Sequence, residues 1–465
     1  MMKNILKKFE KTIVFLLKMS LYICIFVSFF LMMGITNRQL LRLSRTAGVT
    51  MVTFIVLGLV MIAAYGGYDI GKRKSKPIIS SLSLATVITD IVTYIQLSIM
   101  NTNIATGLEF RFENISILIL VIIIQVLIII GFAYGGNAVF FTINDPESCC
   151  IITSSKESFV EIAHAVGAFK KQYCINMIVD YRSVKLKDCI LACDTVFIYN
   201  VPIRERTEIA EFCYRNMRHI YFNPEISDIA EISSKHVILD DISLINAPVK
   251  EMSFEQKTFK RVMDIVFSMS ALIITSPIFV FCMISIKLGD GGKVIFKQQR
   301  ATKDGKIFYV YKFRTMKENI ENYSATEEDD RITKVGKTLR KYRLDELPQF
   351  FNILKGDMSL VGPRPEMLEN IYMYTKEFPE FAYRLRVKAG LTGYAQIAGK
   401  YNTSPKYKLI LDLLYIENYS LVKDLKLILQ TLIVLFKPDS TAGFSDNKQK
   451  EYKKYEEIFD KCWMD

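Results

Sequence analysis

Residues 339–365, LRKYRLDELPQFFNILKGDMSLVGPRP, gather the side chains of this chain best suited to phosphate chemistry. Two adjacent carboxylates, Asp345 and Glu346, follow the cations Arg340, Lys341 and Arg343. A rigid Pro363-Arg364-Pro365 turn comes next. Guanidinium and ammonium groups hold phosphate oxygens through charge-assisted hydrogen bonds. A carboxylate can attack phosphorus and form a covalent intermediate. Paired acids can bind a divalent metal through oxygen. An Asp-Glu pair alone is most often a piece of solvated helix. The whole constellation points instead to phosphoryl chemistry on an anionic substrate.

The rest of the composition narrows the alternatives. The chain has 465 residues, of which 51% are hydrophobic, and a net charge of +12. Its mean hydropathy is +0.21, high for a soluble protein of this size. Its basic balance suits nucleic acid or anionic lipid; with long apolar runs present, lipid headgroups are the expected partner and nucleic acid is not. Its histidines, His164, His219 and His236, all precede residue 256. A Ser-His-acid triad or His-rich zinc site in the last 210 or so residues is therefore excluded. Its nine cysteines lack a disulfide-like spacing, which suits a reducing compartment.

These residues need elements to position them. Apolar runs near 12–33, 50–68, 79–100 and 114–136 are each long enough to cross a hydrocarbon core of about 30 Å as a helix. The third carries Asp90, expected as a helix–helix polar contact or at a shallow depth. Lys3, Lys7, Lys8 and Lys11 precede the first run, and Lys72, Arg73, Lys74 and Lys76 follow the second. Both segments should face the cytoplasm. Arg38, Arg42 and Arg45 count against that orientation, unless they snorkel to the interface. From 145 to 245, β-rich runs (149–153, 175–179, Thr195–Tyr199, His219–Phe222, 236–239) alternate with amphipathic ones. The alternation predicts a parallel, Rossmann-like α/β sheet. Its first turn, Ser154-Ser155-Lys156, lacks the glycines of a dinucleotide site, so standard NAD binding is not expected.

A second apolar run, 262–286, is interrupted by Ser276-Pro277 and has basic flanks at Lys257, Lys260, Arg261, Lys287 and Lys293. A proline in a helix interior kinks it. A re-entrant hairpin broken at Ser276-Pro277 keeps both soluble parts on one side. Residues 294–299 and 308–313 read as a strand pair around Lys303-Asp304-Gly305-Lys306. Residues 371–383 and 421–437 have faces suited either to the membrane interface or to core packing.

Leu344-Asp345-Glu346-Leu347-Pro348-Gln349, Asn352, Gly356-Asp357-Met358-Ser359 and Val361-Gly362-Pro363-Arg364-Pro365 together resemble the signature of the bacterial sugar transferases. These are polyprenyl-phosphate sugar-1-phosphate transferases. The likeness extends to Lys312-Phe313-Arg314-Thr315-Met316, Arg331-Ile332-Thr333 with Gly336, Gly390-Leu391-Thr392-Gly393 and Tyr415-Ile416-Glu417-Asn418, covering roughly 256–438. Ala389 and Asp330 stand where the family usually has proline. The resemblance implies transfer of a hexose-1-phosphate from a UDP-sugar to undecaprenyl phosphate with release of UMP. Such a reaction begins exopolysaccharide, capsule or O-antigen synthesis. It implies Asp345 as nucleophile and Glu346 as a helper in placing Mg²⁺ or in deprotonation. Lys312, Arg314, Arg340 and Arg364 would hold phosphates. It also implies one broken helix inserted into a single leaflet and a regulatory or oligomerising α/β module.

The expected fold class is thus α/β plus membrane helices. Residues 1–144 form four transmembrane helices, 145–250 a Rossmann-like cytoplasmic domain, and 251–440 a monotopic α+β catalytic domain. The re-entrant helix occupies 262–287, and 441–465 is a charged tail. The site is expected on the cytoplasmic face of the plasma membrane, with polysaccharide assembly machinery as partner, and a homodimer suits the layout. Three rivals stand beside this reading. A metal-dependent glycosyltransferase would use an acidic run such as Glu327-Glu328-Asp329-Asp330 and release UDP. A polytopic transferase would hold its site among membrane helices. A non-catalytic scaffold or assembly regulator would tolerate loss of Asp345. The sugar is not specified by any of these residues.

Overall fold

A computed structural model describes residues 2–101, 112–232, 234–247, 251–317, 331–399, 404–435 and 463–464. The acidic run at 327–330 and nearly all of the charged tail lie outside them. The chain divides into two compact units, Met1–Asn223 with Asp446–Asp465, and Pro224–Ser445.

After a short helix at Met2–Lys8, the first unit has α1 (Glu10–Thr36), α2 (Arg45–Tyr65), α3 (Ser75–Met100) and α4 (Ile115–Ile143). All four are long and apolar enough to cross a membrane, as is Phe254–Asp290 in the second unit. Each outward face is apolar, as at Phe15, Leu59 and Leu127, which suits contact with lipid. Leu21, Phe29, Phe54, Ile78, Leu82, Val121 and Ile129 fill the bundle. Asp90 is fully buried and accepts from Gln125 Nε2 at 3.5 Å, a polar contact between α3 and α4. Lys3 pairs with Asp145 at 2.7 Å, so the chain enters and leaves the four helices at the same end.

The α/β layer follows as β1 (Glu147–Thr153), α5 (Lys156–Gly167), β2 (Tyr173–Asp180), α6 (Leu186–Leu191), β3 (Thr195–Tyr199), α7 (Ile203–Arg215) and β4 (His219–Phe222). The strands are parallel in the order β2-β1-β3-β4, and Trp463–Met464 adds a further parallel edge beside β2. Successive residues of β1 face opposite sides. Cys149 and Ile151 pack with Phe159 and Ala163 of α5; Cys150 and Ile152 pack with Ile190 of α6 and Ile209 of α7. Helices therefore cover both faces, which is why β1 reads as a continuous apolar run. The β run expected at 236–239 does not join this sheet. As β5 (Lys235–Leu239) it pairs antiparallel with β6 (Ile242–Asn246) in the second unit.

In that unit α8 (Phe254–Asp290) is continuous over 37 residues, with Pro277 inside. Its Thr275 and Ser276 hydroxyls bond back to the Ala271 and Ile273 carbonyls at 2.7 and 2.8 Å, next to the amide that proline lacks. The hairpin of β7 (Ile295–Ala301) and β8 (Ile307–Phe313) turns through Asp304 and Gly305, both left-handed, as its Lys-Asp-Gly-Lys sequence suggests. Then come α9 (Lys334–Lys341), α10 (Gln349–Lys355), β9 (Ser359–Val361), α11 (Leu368–Glu377), β10 (Gly390–Thr392), α12 (Pro405–Glu417) and α13 (Leu421–Leu435). The core gathers Phe308, Val310, Ile353, Met358, Phe381, Leu409 and Leu413. Both halves of α8 touch α10: Arg261 donates to the Ile353 and Leu354 carbonyls, and the Phe279 ring meets that of Phe351 at 5.8 Å.

Candidate active site

Helix α9 ends at Lys341, and Arg343 then turns left-handed at φ 55°. A non-glycine residue there costs about 1–2 kcal/mol, and such strain collects at functional sites. The turn re-aims the chain, and a single 3₁₀ turn, Leu344–Glu346, carries the two acids before Pro348 leads into α10. Thr333 caps α9 by accepting from Gly336 N–H at 2.9 Å. A Cβ on Gly336 would lie 2.1 Å from the Thr315 carbonyl oxygen, so only glycine lets α9 dock there. Arg340 then reaches Thr315 Oγ1 with its Nε at 2.9 Å.

Asn352 fixes the acids relative to β8. Its Oδ1 accepts from Tyr311 N–H at 2.9 Å, and its Nδ2 donates to the Tyr309 carbonyl at 2.7 Å. Lys312 follows on that strand and donates to Glu346 Oε1 at 3.4 Å. Arg364 donates to the same oxygen at 2.7 Å. Asp345 makes no hydrogen bond or ion pair among the described residues. The neighbours thus differ in electrostatics. Burial pushes Glu346 upward, but Arg364 and Lys312 outweigh it and hold the carboxyl well below the usual range. Burial, and then the Glu346 charge, raise Asp345 to about 6 against the opposing pull of Lys312 and Arg340. Burial lowers the Lys312 ammonium, with Glu346 opposing. The Glu346 charge raises Arg364 above its ordinary value. Arg314 is buried, and its Nε donates to the Lys293 carbonyl at 2.6 Å. Ser276 and Pro277 lie within the apolar helix α8.

The Pro363-Arg364-Pro365 turn is held by backbone and by buried charge. Gly362 N–H donates to the Thr392 carbonyl and Gly390 N–H to the Pro363 carbonyl, each at 2.8 Å. A Cβ on Gly390 would sit 2.1 Å from Gly362 N, which explains the glycines of both motifs. Ala389, where the family usually has proline, donates its N–H to Thr302 Oγ1 at 3.1 Å, a bond proline could not make.

Sequence reasoning missed the groups behind this turn. Arg384, 3% exposed, donates to the Arg364 carbonyl at 2.9 Å and pairs with Asp412 at 2.7 Å. Glu366 lies 3.8 Å from Arg384 and 3.6 Å from Lys408. Burial raises Asp412 to about 6, with Arg384 opposing. Burial also raises Glu366, but Arg384 and Lys408 outweigh it. Burial lowers Arg300, behind the same turn, to about 10. The available signal was Asp412 itself, a lone acid in the apolar run 409–414.

A divalent cation has a usable donor set here. No cluster of three or more His, Cys, Asp or Glu side chains forms among the described residues. Mg²⁺ ordinarily uses one or two carboxylates and completes its shell with water and phosphate oxygens. Asp345 is held by no hydrogen bond or ion pair among the described residues, and Glu346 accepts both cations on Oε1, leaving Oε2 outside those bonds. The residues present fit that mode.

The model of the family described as bacterial sugar transferase matches residues 255–438. The chain is 37% identical over 219 residues to UDP-N-acetylgalactosamine-undecaprenyl-phosphate N-acetylgalactosaminephosphotransferase of Aeromonas hydrophila, covering 44% of this chain and 50% of that protein. It is 41% identical over 174 residues to the uncharacterized sugar transferase EpsL of Bacillus subtilis, covering 37% of this chain and 85% of that protein. Its identity to UDP-glucose:undecaprenyl-phosphate glucose-1-phosphate transferase of Klebsiella pneumoniae is 42% over 199 residues, 41% of this chain and 42% of that protein. The match thus spans half or less of the Aeromonas and Klebsiella proteins and most of the Bacillus one. Its shared region contains every motif that builds the acid pair and its cations, and on that ground the chain belongs to the bacterial sugar transferase family.

Proposed function

We propose that this protein is a membrane phosphoglycosyl transferase that moves a hexose-1-phosphate from a UDP-sugar to undecaprenyl phosphate. UMP leaves, and the product is a lipid-linked sugar diphosphate, the first membrane intermediate of exopolysaccharide, capsule or O-antigen synthesis. The printed names of the Aeromonas and Klebsiella relatives support this donor and acceptor. The observation that carries the reading is the division of labour between the adjacent acids. Environments that push paired carboxyls apart assign their roles. Glu346 is tied to Arg364 and Lys312, whereas Asp345 is unpaired among the described residues and the more basic of the two.

In this mechanism an Asp345 oxygen attacks the β-phosphorus of the UDP-sugar. The bond from that phosphorus to the bridging oxygen breaks, and UMP departs with the electron pair. An oxygen of the lipid phosphate then attacks the same phosphorus and displaces the Asp345 carboxylate. Two like-charged reactants meet, so fixed positive charge must offset their repulsion. Arg364, Lys312 and Arg340 supply it around the acids, and Arg314 acts from the neighbouring strand end. Asp345 and Glu346 Oε2 would hold Mg²⁺, which supplies further charge neutralisation at the phosphates. Glu346 orients Arg364 through its Oε1 bond.

The same reading makes α8 re-entrant, with the catalytic unit on the cytoplasmic face, where nucleotide sugars are made. Arg261 and Phe279 would lie about 27 Å apart on a straight helix. Both reach α10, whose 7 residues rise only about 10 Å. That shared partner supports a bend at Ser276-Pro277. The nucleotide released tests the function. Full-length enzyme with undecaprenyl phosphate and a panel of UDP-glucose, UDP-galactose and UDP-N-acetylated sugars should yield UMP with one or more donors. Release of UDP, or turnover that survives Asp345→Asn, would overturn the assignment.

A further inference from the structure

Lys260 and Arg261 read as ordinary basic flanks of an apolar run, yet they do not lie free at a lipid surface. Lys260 is 8% exposed and Asp264, one turn on, is 4% exposed. Their partners belong to the two segments that carry the catalytic charges. Asp264 Oδ1 accepts from Leu360 N–H at 2.9 Å and from the Ser359 hydroxyl at 3.0 Å. Lys260 Nζ donates to the Val361 carbonyl at 3.0 Å, and is itself fixed by Asp424 at 2.5 Å and the Tyr415 hydroxyl at 3.2 Å. Every residue of β9 is therefore gripped by α8, and β9 runs directly into Gly362-Pro363-Arg364. Arg261 takes the other segment. Its guanidinium donates to the Ile353 and Leu354 carbonyls at 2.6 Å each, capping the C-terminus of α10, whose N-terminus follows Glu346.

We infer that Lys260, Arg261 and Asp264 are positioning residues. From one stretch of α8 they set the Arg364 turn against the Asp345-Glu346 turn and couple the seating of the apolar helix to the phosphate site. The physical reason is the shortness of what they hold. A three-residue strand and a two-turn helix have few ladder bonds of their own, so their aim depends on side chains from elsewhere. Lys260 and Asp264 face one segment, Arg261 the other, and the relative position of the two segments determines the 2.7 Å contact between Arg364 and Glu346. A misplacement of about 1 Å can cost about 10²-fold in rate.

This inference rests on the covalent reading above, and its test separates the two. Full-length Asp264→Ala is mixed with whichever of UDP-glucose or UDP-N-acetylgalactosamine the wild type uses, without lipid, and UMP release is followed in single turnover. A positioning role lowers the burst rate about 10²-fold and keeps the burst amplitude of the folded enzyme. Asp264→Asn, whose Oδ1 still accepts both bonds, restores most of the rate. Ser359→Ala, a milder lesion that keeps the Leu360 bond, lowers the rate by a smaller factor at full amplitude and serves if the alanine variant does not fold. A lowered amplitude with an unchanged rate means Asp264 only maintains the fold, and overturns the inference, as does an unchanged rate in all variants. If the wild type gives no burst without lipid, the covalent reading fails. Steady-state kinetics then decide: kcat reduced at unchanged KM and restored by asparagine supports the clamp, and unchanged kcat refutes it.

Discussion

The parallel sheet and the catalytic unit bury different things. Along β1, Cys149, Cys150, Ile151 and Ile152 are all fully buried, and the buried charges of that layer among the described residues are Asp180 and Arg206. The catalytic unit buries Lys260, Asp264, Arg314, Arg331, Arg384, Asp412, Glu417 and Asp424. The cause is backbone satisfaction. A parallel sheet pairs its own N–H and C=O groups and asks only for apolar side chains. Beside the Arg364 turn the catalytic unit has two strands, β9 and β10, of only 3 residues each, so side chains from distant segments complete their hydrogen bonds. Its architecture consequently rests on buried charges that hold the acids and cations of the site in place, whereas the sheet is held by apolar packing apart from them.

Substitutions can break that contrast. The largest effect belongs to Asp345→Asn: UMP release should fall to background in a discontinuous assay, because an amide is a poor nucleophile. Next is Arg384→Ala, which leaves Asp412 and Glu366 buried without their main cation. Breaking a buried pair from one side costs about 3–5 kcal/mol, to be read as a lowered unfolding midpoint together with lost turnover. The acid pair predicts a smaller, reversible effect of pH. Asp345 stands near 6 and Glu346 far below it. Above 6 Asp345 is ionised and able to attack; as pH falls through 6 it takes up a proton, and single-turnover UMP release should decline about tenfold per unit. The smallest effect is expected in the sheet. Cys213→Val, in its buried apolar cluster, should cost less than about 1.5 kcal/mol and leave kcat unchanged. A loss of turnover there would mean that the sheet and the chemistry are not separable.

The same contrast explains what was legible in the sequence. The four apolar runs and β1 to β4 were readable because burial in them follows a period or a continuous run. Capping residues extend the helices past those runs, as Ser44 does for α2 by accepting from Ala47 N–H. The strand at 235–239 was misassigned to the parallel sheet because its apolar residues look the same in a hairpin, where Ile238, Ile242 and Ile245 are exposed. The motifs located the acids and cations. They did not rank Asp345 against Glu346, because that difference arises from Lys312 and Arg364, remote in sequence. Arg384, Asp412 and Asp264 carry no local signature of their partners, so their roles appear only in three dimensions.

The central claim is that Asp345, and not Glu346, bonds to phosphorus. The direct measurement mixes full-length enzyme with its UDP-sugar in the absence of lipid, quenches, digests and weighs the peptides. The account predicts UMP release near one per active site and a sugar-phosphate adduct on Asp345, discharged when undecaprenyl phosphate is added. Strict dependence of UMP release on lipid, with no adduct on any carboxylate, would contradict it and assign the attack to the lipid phosphate itself.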